Sequence, residues 1–273
     1  MILHQEEVQL LPTKWTVNTE AFRIHYHSDG LKVVGFIIKP KTVHENAPLI
    51  IYNRGGAEDR GLLESRQLTG LARWASQGYV LLTTQYRGND GGEGQEEWGG
   101  DDINDVTNLM LVARELPYVD VSRAVMYGAS RGGLMTYLAL RNKIEVKAAA
   151  VLCGVSDLLH MYNNRADTMK GILHRLVGNP SCDPNEYIRR SPIHWADEIH
   201  VPLLIVHGAN DVHVPIEQTR NFVNRLSELH KDYRYIEYPD ADHHLLNPDR
   251  ASEILGELGT FFAGKLGLKY TLS

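Results

Sequence analysis

The sequence predicts an α/β fold in which a mostly parallel, doubly wound sheet follows an N-terminal antiparallel hairpin. Two apolar-rich or alternating runs, 20–28 and 31–40, are joined by Asp29-Gly30, a strong signal for a two-residue hairpin turn. Five short, continuous apolar runs come next, and segments with helical spacing separate them. Because such alternation is typical of buried strands with crossover helices, we expect a parallel sheet covered by helices.

The individual elements follow from run length and residue type. Each apolar run is too short for a helix and is rich in Val, Ile, Leu or Tyr. These five runs are the predicted strands 48–52, 79–84, 124–127, 148–153 and 202–207, and a further strand is predicted over 233–238. The predicted helices are 62–77, 102–116, 132–142, 216–229 and 251–262. Residues 155–198 break the alternation with a long, polar stretch, which we interpret as a partly helical, cap-like insertion.

Length and composition limit the class of protein. With 273 residues, 43% of them hydrophobic and 23% charged, the chain is expected to form a single domain over 1–273. Its 28 Lys and Arg against 34 Asp and Glu give a net charge of −6, so a phosphate backbone or an anionic membrane would be a poor partner. We therefore expect no nucleic-acid and no membrane partner.

The N-terminus and the cysteines indicate the cellular compartment. The first residues, MILHQEEVQLLP, include two glutamates and lack a cationic start, unlike a secretion signal. Only Cys153 and Cys182 are present, too few for a disulfide framework, and neither lies in a metal-binding pair. Cys153 is predicted to be a buried small hydrophobe. We expect a cytoplasmic protein without a metal or organic cofactor.

A GxSxG motif lies between the strand 124–127 and the helix 132–142. In the run Gly128-Ala129-Ser130-Arg131-Gly132, a sharp strand-to-helix turn would lift the Ser130 hydroxyl above the sheet, and glycines would permit close backbone contacts. The alternative is a tight turn in which Ser130 merely caps a helix. The strand before the motif and the helix after it favour a nucleophile.

A serine nucleophile needs a base, and the base needs an orienting acid. Asp211 follows the strand 202–207, and His243 follows the strand 233–238, so both would lie at strand carboxyl ends. The order Ser130, Asp211, His243 is the one expected for this type of site. The open alternatives are that Asp211 is an ordinary turn or capping residue ahead of Pro215, that His207 is a satisfied strand-end histidine, and that His243 and His244 lie in a solvated loop. A metal site at Asp240, Asp242, His243 and His244 is a further one.

Several separated motifs make the resemblance to a family specific. These motifs, in order, are Ser28-Asp29-Gly30 with Gly35, Tyr86-Arg87-Gly88 running into Gly91-Gly92-Glu93-Gly94, Trp98 before Gly99-Gly100-Asp101-Asp102, GASRGG around Ser130, Ser191-Pro192, HGANDVHVP at 207–215, and Tyr238-Pro239 before His243. Together they resemble the catalytic α/β-hydrolase domain of the prolyl oligopeptidase family of serine hydrolases, over most of the chain. The resemblance implies that Ser130 is the nucleophile, Asp211 the orienting acid and His243 the base.

Two features depart from that family. Its peptidases usually carry an N-terminal β-propeller, whereas about forty residues precede the core here, so we expect no propeller and an open site. Where relatives often have His or Tyr before two glycines, this chain has Asn53-Arg54-Gly55-Gly56. We therefore expect the oxyanion hole to use the backbone amide of Arg131 and the Arg54-Gly55 loop, with the Arg54 guanidinium as a supplement. A salt bridge from Arg54 to Glu58 or Asp59 is the alternative.

The sequence thus predicts a serine hydrolase that cleaves an ester or amide of a small molecule or short peptide through an acyl-serine intermediate. Peptidase and esterase activity are not separated, and carbon–carbon or lactone hydrolysis on the same triad stays open. The competing class is a non-catalytic ligand receptor or scaffold on this fold. An acidic loop, residues 89–105, either attracts a cationic group such as a peptide amine or is a solvated loop with acids at a helix N-terminus. The exposed hairpin edge suggests a homodimer.

Overall fold

The computed structural model describes residues 1–43, 45–245 and 248–269, with the backbone alone at 248 and 249. The chain forms two compact units, Met1–Met126 and Tyr127–Ser273. The single domain over 1–273 stays a prediction. No helix in the described ranges has the length and apolarity required to cross a membrane.

The first unit contains an antiparallel hairpin and two parallel strands. Its strands lie in the order β1-β2-β3-β5-β4, with β1 (Ile2–Val8), β2 (Thr19–Ser28), β3 (Leu31–Pro40), β4 (Ala47–Asn53) and β5 (Val80–Thr84). β2 and β3 pair antiparallel with Ser28 opposite Leu31, which confirms the predicted hairpin, and β4 pairs parallel with β5. β5 is buried at every position, as expected of a continuous apolar run.

β1 was not predicted from the sequence. Its residues ILHQEEV are mostly exposed and it pairs antiparallel with β2, so pairing rather than burial makes it a strand. β1 covers the outer strand of the hairpin, which was expected to be an exposed edge, and itself lies at the end of the strand order. The homodimer suggested by an exposed hairpin edge stays a prediction.

Helix α1 (Ser65–Ala75) covers part of the region predicted as a helix, while the predicted helix 102–116 is two short helices. α2 (Ile103–Thr107) and α3 (Leu109–Arg114) are separated by Asn108. The side-chain amide of Asn108 donates to Ser28 Oγ at 3.0 Å, and its carbonyl accepts the amides of Leu111 and Val112. The predicted helix is therefore confirmed over most of its length and interrupted at Asn108, although the amide of Asn108 still donates to the Asn104 carbonyl at 2.8 Å in the helical pattern.

Strand β6 (Val119–Ala129) runs through the boundary between the units. The second unit continues with α4 (Arg131–Arg141), β7 (Ala149–Leu152), β8 (Leu203–Gly208), α8 (Ile216–Glu228), β9 (Tyr233–Tyr238) and α9 (Pro248–Leu266). β8 pairs parallel with both β7 and β9, which confirms the predicted parallel arrangement. All six residues of β8 are buried.

Residues 155–198 form the predicted partly helical insertion of the second unit. It comprises α5 (Leu158–Asn163), α6 (Thr168–Leu176), α7 (Pro184–Ile188) and two 3₁₀ turns, Pro192–His194 and Ala196–Glu198. Asp157 and Asp167 cap α5 and α6 by accepting backbone amides of the first turn. Leu158, Met161, Ile172 and Leu173 supply its buried apolar side chains.

Candidate active site

Ser130 lies at the turn that joins β6 to α4. Its backbone adopts φ 56° and ψ −124°, a region that non-glycine residues rarely occupy. The amide of Ser130 donates to the Leu152 carbonyl at 2.9 Å, which ties the turn to the end of β7. A strained, hydrogen-bonded turn at a serine is the geometry predicted from the GxSxG motif.

The glycines around Ser130 are required by close backbone contacts. A Cβ atom at Gly128 would lie 2.1 Å from the Gly132 carbonyl oxygen, and one at Gly133 would lie 2.7 Å from the Cα atom of Gly154. Both approaches are shorter than any real Cβ contact. The motif therefore describes a backbone crossing that only glycine allows.

Ser130 stands at the N-cap of α4, but its hydroxyl makes no capping hydrogen bond to that helix, every residue of which the structure describes. The helix-capping alternative is therefore wrong. The Ser130 hydroxyl thus does not bond to a backbone amide in the first turn of α4, as a capping serine would.

Asp211 follows β8 and is held by the loop around it. It is 6% exposed, and its Oδ1 accepts the backbone amides of His213 and Val214, each at 2.8 Å. Burial by itself raises the pKa of Asp211, but hydrogen bonds from His207 and His243 outweigh it, so the pKa is well below the ordinary value. Asp211 therefore does cap its own turn, through the amides two and three residues on, and its other oxygen belongs to a buried carboxylate that also meets histidine side chains.

His243 follows β9 and meets Asp211. Its Nδ1 lies 2.7 Å from Oδ2 of Asp211, and its side chain is 11% exposed. An ionised carboxylate can only accept, so Nδ1 carries the proton and Nε2 has the free lone pair when the ring is neutral. The neighbouring His244 is exposed. The structure thus pairs His243, not His244, with the acid.

Ser130 is not hydrogen-bonded to His243 in the described part of the chain. Such bonds are often long or misaligned in ligand-free sites and tighten when substrate binds. Of the three predicted residues, Asp211 and His243 are in direct contact, and Ser130 lies on its turn in the same unit.

Two further histidines surround His243. The ring centroid of His213 lies 5.1 Å from that of His243 at an interplanar angle of 75°, and His244 lies 5.4 Å from His243 at the same angle. Burial first, and then the charge on His243, lower the pKa of His213. The carbonyl of His213 accepts from Arg165 Nη1 at 2.8 Å, so the cap-like insertion contacts the loop that carries Asp211. His213 was not predicted from the sequence, where its only signal is its place two residues after Asp211.

The family is shown by comparison with known proteins. A model of the prolyl oligopeptidase family of peptidases matches residues 67–269. The chain belongs to the prolyl oligopeptidase family. It is 31% identical over 224 residues to the uncharacterized peptidase YtmA of Bacillus subtilis, covering 82% of this chain and 86% of YtmA. It is also 25% identical over 260 residues to dipeptidyl aminopeptidase BIII of Pseudoxanthomonas mexicana, covering 88% of this chain and 37% of that protein.

Solved structures agree on the fold. A Mycobacterium tuberculosis puromycin-hydrolyzing peptidase matches with a TM-score of 0.85 at 23% identity, over 95% of this chain and 41% of that one. Acylaminoacyl peptidase of Pyrococcus horikoshii matches with a TM-score of 0.80 at 25% identity, over 94% of this chain and 43% of that one. The α/β-hydrolase fold is confirmed. The chain spans most of YtmA but less than half of these larger proteins.

The prolyl oligopeptidase family is a family of serine peptidases, so the family assignment makes this chain a serine peptidase by family.

Two of the site residues predicted from the sequence, Arg54 and Gly55, lie in the first unit. The Arg54 guanidinium is 1% exposed and donates to the carbonyls of Gln85, Gly55 and Arg60, at 2.7, 3.1 and 3.3 Å. It also lies 5.0 Å from the centre of the Tyr86 ring. The oxyanion role of Arg54 and Gly55 stays a prediction.

The acidic loop 89–105 is not a uniformly solvated surface. Glu96, Asp102 and Asp105 are 4%, 0% and 0% exposed. Asp105 accepts from Ser28 Oγ at 2.6 Å and from Arg87 Nη2 at 2.8 Å. Burial lowers the pKa of Arg87, but its hydrogen bonds with Asp105 and Asp29 outweigh this and raise it. Burial outweighs the hydrogen bonds of Asp105 and raises its pKa. These three acids are thus buried within the first unit, with Asp102 and Asp105 at the N-terminus of α2.

The predicted metal alternative also has a structural answer. Asp242 Oδ1 accepts the amides of His244 and Leu245, and Asp240 is ion-paired with Arg250. In the described residues, the group whose potential ligand atoms lie within 4.8 Å of one another is instead Cys153, His207 and Asp211. Cys153 is 1% exposed, as predicted, and burial raises the pKa of its thiol. This group includes Asp211 and shares no residue with the predicted cluster of Asp240, Asp242, His243 and His244.

Proposed function

We propose that this protein cleaves an ester or amide bond through an acyl-serine intermediate, with Ser130 as nucleophile, His243 as base and Asp211 as orienting acid. The observation that carries the proposal is the 2.7 Å contact between His243 Nδ1 and Asp211 Oδ2 in the unit that also holds the strained turn at Ser130. This arrangement supplies the three roles that nucleophilic acyl transfer needs.

The reaction follows from the proton positions. Ser130 Oγ forms a bond to the substrate carbonyl carbon while its proton passes to Nε2 of His243, and Asp211 stabilises the imidazolium that results. His243 then gives the proton to the leaving alcohol or amine as the carbon–heteroatom bond breaks. Water repeats the sequence on the acyl-serine, releasing the acid and restoring Ser130.

The oxyanion of the tetrahedral intermediate needs preorganised donors. In this proposal one donor is the backbone amide of Arg131, the first residue of α4. The positive end of the helix dipole at that position favours negative charge. Removing one such donor typically lowers kcat by about 10²- to 10³-fold.

The proposed substrates are small esters or short acylated peptides. Family membership supports amide cleavage, and the chemistry of an acyl-serine accepts both ester and amide leaving groups. The proposed compartment is the cytoplasm, which agrees with two cysteines that are free, one buried and one exposed. Fractionation of cells that express the tagged protein tests the compartment.

Intact-mass measurement after incubation with a fluorophosphonate tests the nucleophile. Wild type should gain a single adduct, Ser130→Ala should gain none, and the exposed Ser181→Ala variant should label like wild type. Turnover of p-nitrophenyl esters and aminoacyl anilides should fall by about 10⁴-fold or more in Ser130→Ala. No adduct on folded wild type would contradict the proposal and favour a ligand receptor. The ratio of ester to anilide turnover then distinguishes an esterase from a peptidase.

A further inference from the structure

His207 is a second histidine in contact with Asp211. It lies on β8, one strand residue before Gly208, and its side chain is 0% exposed. Its Nε2 is 3.0 Å from the Val214 carbonyl oxygen and 3.1 Å from Oδ2 of Asp211, and its Nδ1 is 2.9 Å from Thr219 Oγ1. Both ring nitrogens are thus engaged inside the protein.

These neighbours place a proton on Nε2 of His207. A carbonyl and an ionised carboxylate only accept hydrogen bonds, so an unprotonated Nε2 would face two acceptors with its own lone pair. The hydroxyl of Thr219 can donate to Nδ1, which satisfies the neutral ring in this tautomer. Thr219 on α8 therefore selects the tautomer that directs an N–H towards Asp211.

One oxygen of Asp211 accepts from both His243 and His207. Oδ2 of Asp211 lies 2.7 Å from Nδ1 of His243 and 3.1 Å from Nε2 of His207. Oδ1 is already occupied by the amides of His213 and Val214. A second N–H near Oδ2 withdraws negative charge from the contact with His243.

We propose that His207 is a positioning residue that keeps Asp211 ionised and oriented, and that thereby sets the proton affinity of His243. The inference rests on the proposed function, since it assigns a role within the same triad. His207 does not reach substrate in this proposal; it acts only through Asp211. By sharing Oδ2 of Asp211, it weakens the hydrogen bond that this carboxylate makes with the His243 imidazolium.

Other groups also face His207. Cys153, at the end of β7, places its sulfur within 4.8 Å of the His207 and Asp211 ligand atoms. Glu237 is the residue paired with His207 on β9, and its pKa is lowered mainly by hydrogen bonds from Arg220 and Tyr235. Thr219 and Val214 carry no charge. The charged group nearest to Nε2 is therefore Asp211, which makes the effect of His207 specific to it.

The test compares His207→Leu with His207→Gln. Leucine removes the N–H, whereas the glutamine amide can place an N–H where Nε2 stood. Without the donor, Asp211 binds protons and the His243 imidazolium more tightly, so the acidic limb of kcat/KM should move to higher pH. We expect kcat of His207→Leu to fall by about 10- to 100-fold, as for other supporting hydrogen bonds, with KM changed little. His207→Gln should restore most of kcat and should return the acidic limb of kcat/KM to near its wild-type pH.

A second pair of variants covers the case in which His207→Leu does not fold. Thr219→Val removes the hydroxyl that selects the tautomer, and Thr219→Ser keeps it as the matched control. Thr219→Val should shift the acidic limb in the same direction by a smaller amount, and Thr219→Ser should shift it less than Thr219→Val. Thermal unfolding of each variant establishes that it is folded.

Two outcomes overturn the proposal. One is an unchanged acidic limb in folded His207→Leu or Thr219→Val, and the other is an equal loss in His207→Gln and His207→Leu. Fluorophosphonate labelling of wild type separates this failure from failure of the proposed function. If wild type labels at Ser130 and these variants show either outcome, only the role of His207 is wrong.

Discussion

Oδ2 of Asp211 and Nδ1 of His243 lie 2.7 Å apart, although 32 residues separate them along the chain. The contact forms because β8 and β9 are parallel neighbours, with Gly208 opposite Tyr238, so the loops that follow them emerge at the same edge of the sheet. Ala209 and Asn210 donate to the carbonyls of Tyr238 and Ala241, which joins the two loops directly. The register of β8 and β9 thus brings the carboxylate of Asp211 into contact with the imidazole of His243.

The first prediction concerns Asp211→Asn. The amide cannot hold His243 in the tautomer with a proton on Nδ1 as the carboxylate does, so we expect kcat to fall by about 10⁴-fold with the fold retained. The exposed Asp240→Asn variant, in the neighbouring loop, should stay near wild type. Ester turnover and thermal unfolding measure both effects. An Asp211→Asn enzyme within tenfold of wild type would remove Asp211 from the triad.

The second prediction concerns acid stability. Because the pKa of Asp211 is lower in the folded protein than in the unfolded chain, its ionised form stabilises the fold above the unfolded pKa, about 3.9. That contribution is lost as pH falls through the lower, folded pKa. The free energy of unfolding of wild type, measured in urea, should therefore exceed that of Asp211→Asn. The difference should be largest above about pH 5 and should shrink below about pH 4. A difference that does not change with pH would contradict this assignment.

The third prediction concerns the turn at Ser130. A methyl group in Gly128→Ala would lie 2.1 Å from the Gly132 carbonyl oxygen, so the turn must shift. We expect a loss of about 1–3 kcal/mol or more in the free energy of unfolding, and loss of fluorophosphonate labelling. Gly264→Ala on α9 is the matched control, since its Cβ would meet nothing within 4 Å. That variant should be neutral or more stable by about 0.5–1 kcal/mol.

The fourth prediction concerns the acidic loop of the first unit. Asp105→Asn leaves the buried Arg87 without its main counter-charge, so we expect a loss of about 3–5 kcal/mol in the free energy of unfolding. Asp101→Asn, at an exposed position of the same loop, should change stability by less than about 0.5 kcal/mol. Equal effects of the two substitutions would mean that Asp105 is not a structural acid.

Much of this arrangement was accessible from the sequence because it depends on short-range patterns. The hairpin turn at Asp29-Gly30, the continuous apolar runs of β5 and β8, and the Gly-x-Ser-x-Gly spacing at Ser130 are each local requirements. β1 lacks such a pattern, because its exposed residues become a strand only by pairing with β2. The side-chain bond from Asn108 to Ser28, 80 residues away, likewise has no local signal.

The sequence by itself determined the alternation of strands and helices after β1, the parallel sheet and the identity of Ser130, Asp211 and His243 as candidates, since periodicity, turn residues and motif order are properties of the chain. The resemblance already preferred His243 to His244 by its spacing from Tyr238-Pro239, and the structure shows the contact of His243 with Asp211. Only the tertiary structure decided that Asp105 is buried against Arg87 and that His207 directs a second N–H at the acid. Each of these depends on side-chain distances of a few ångströms between residues on different strands and loops. Those distances follow from strand register and packing, which no local pattern encodes.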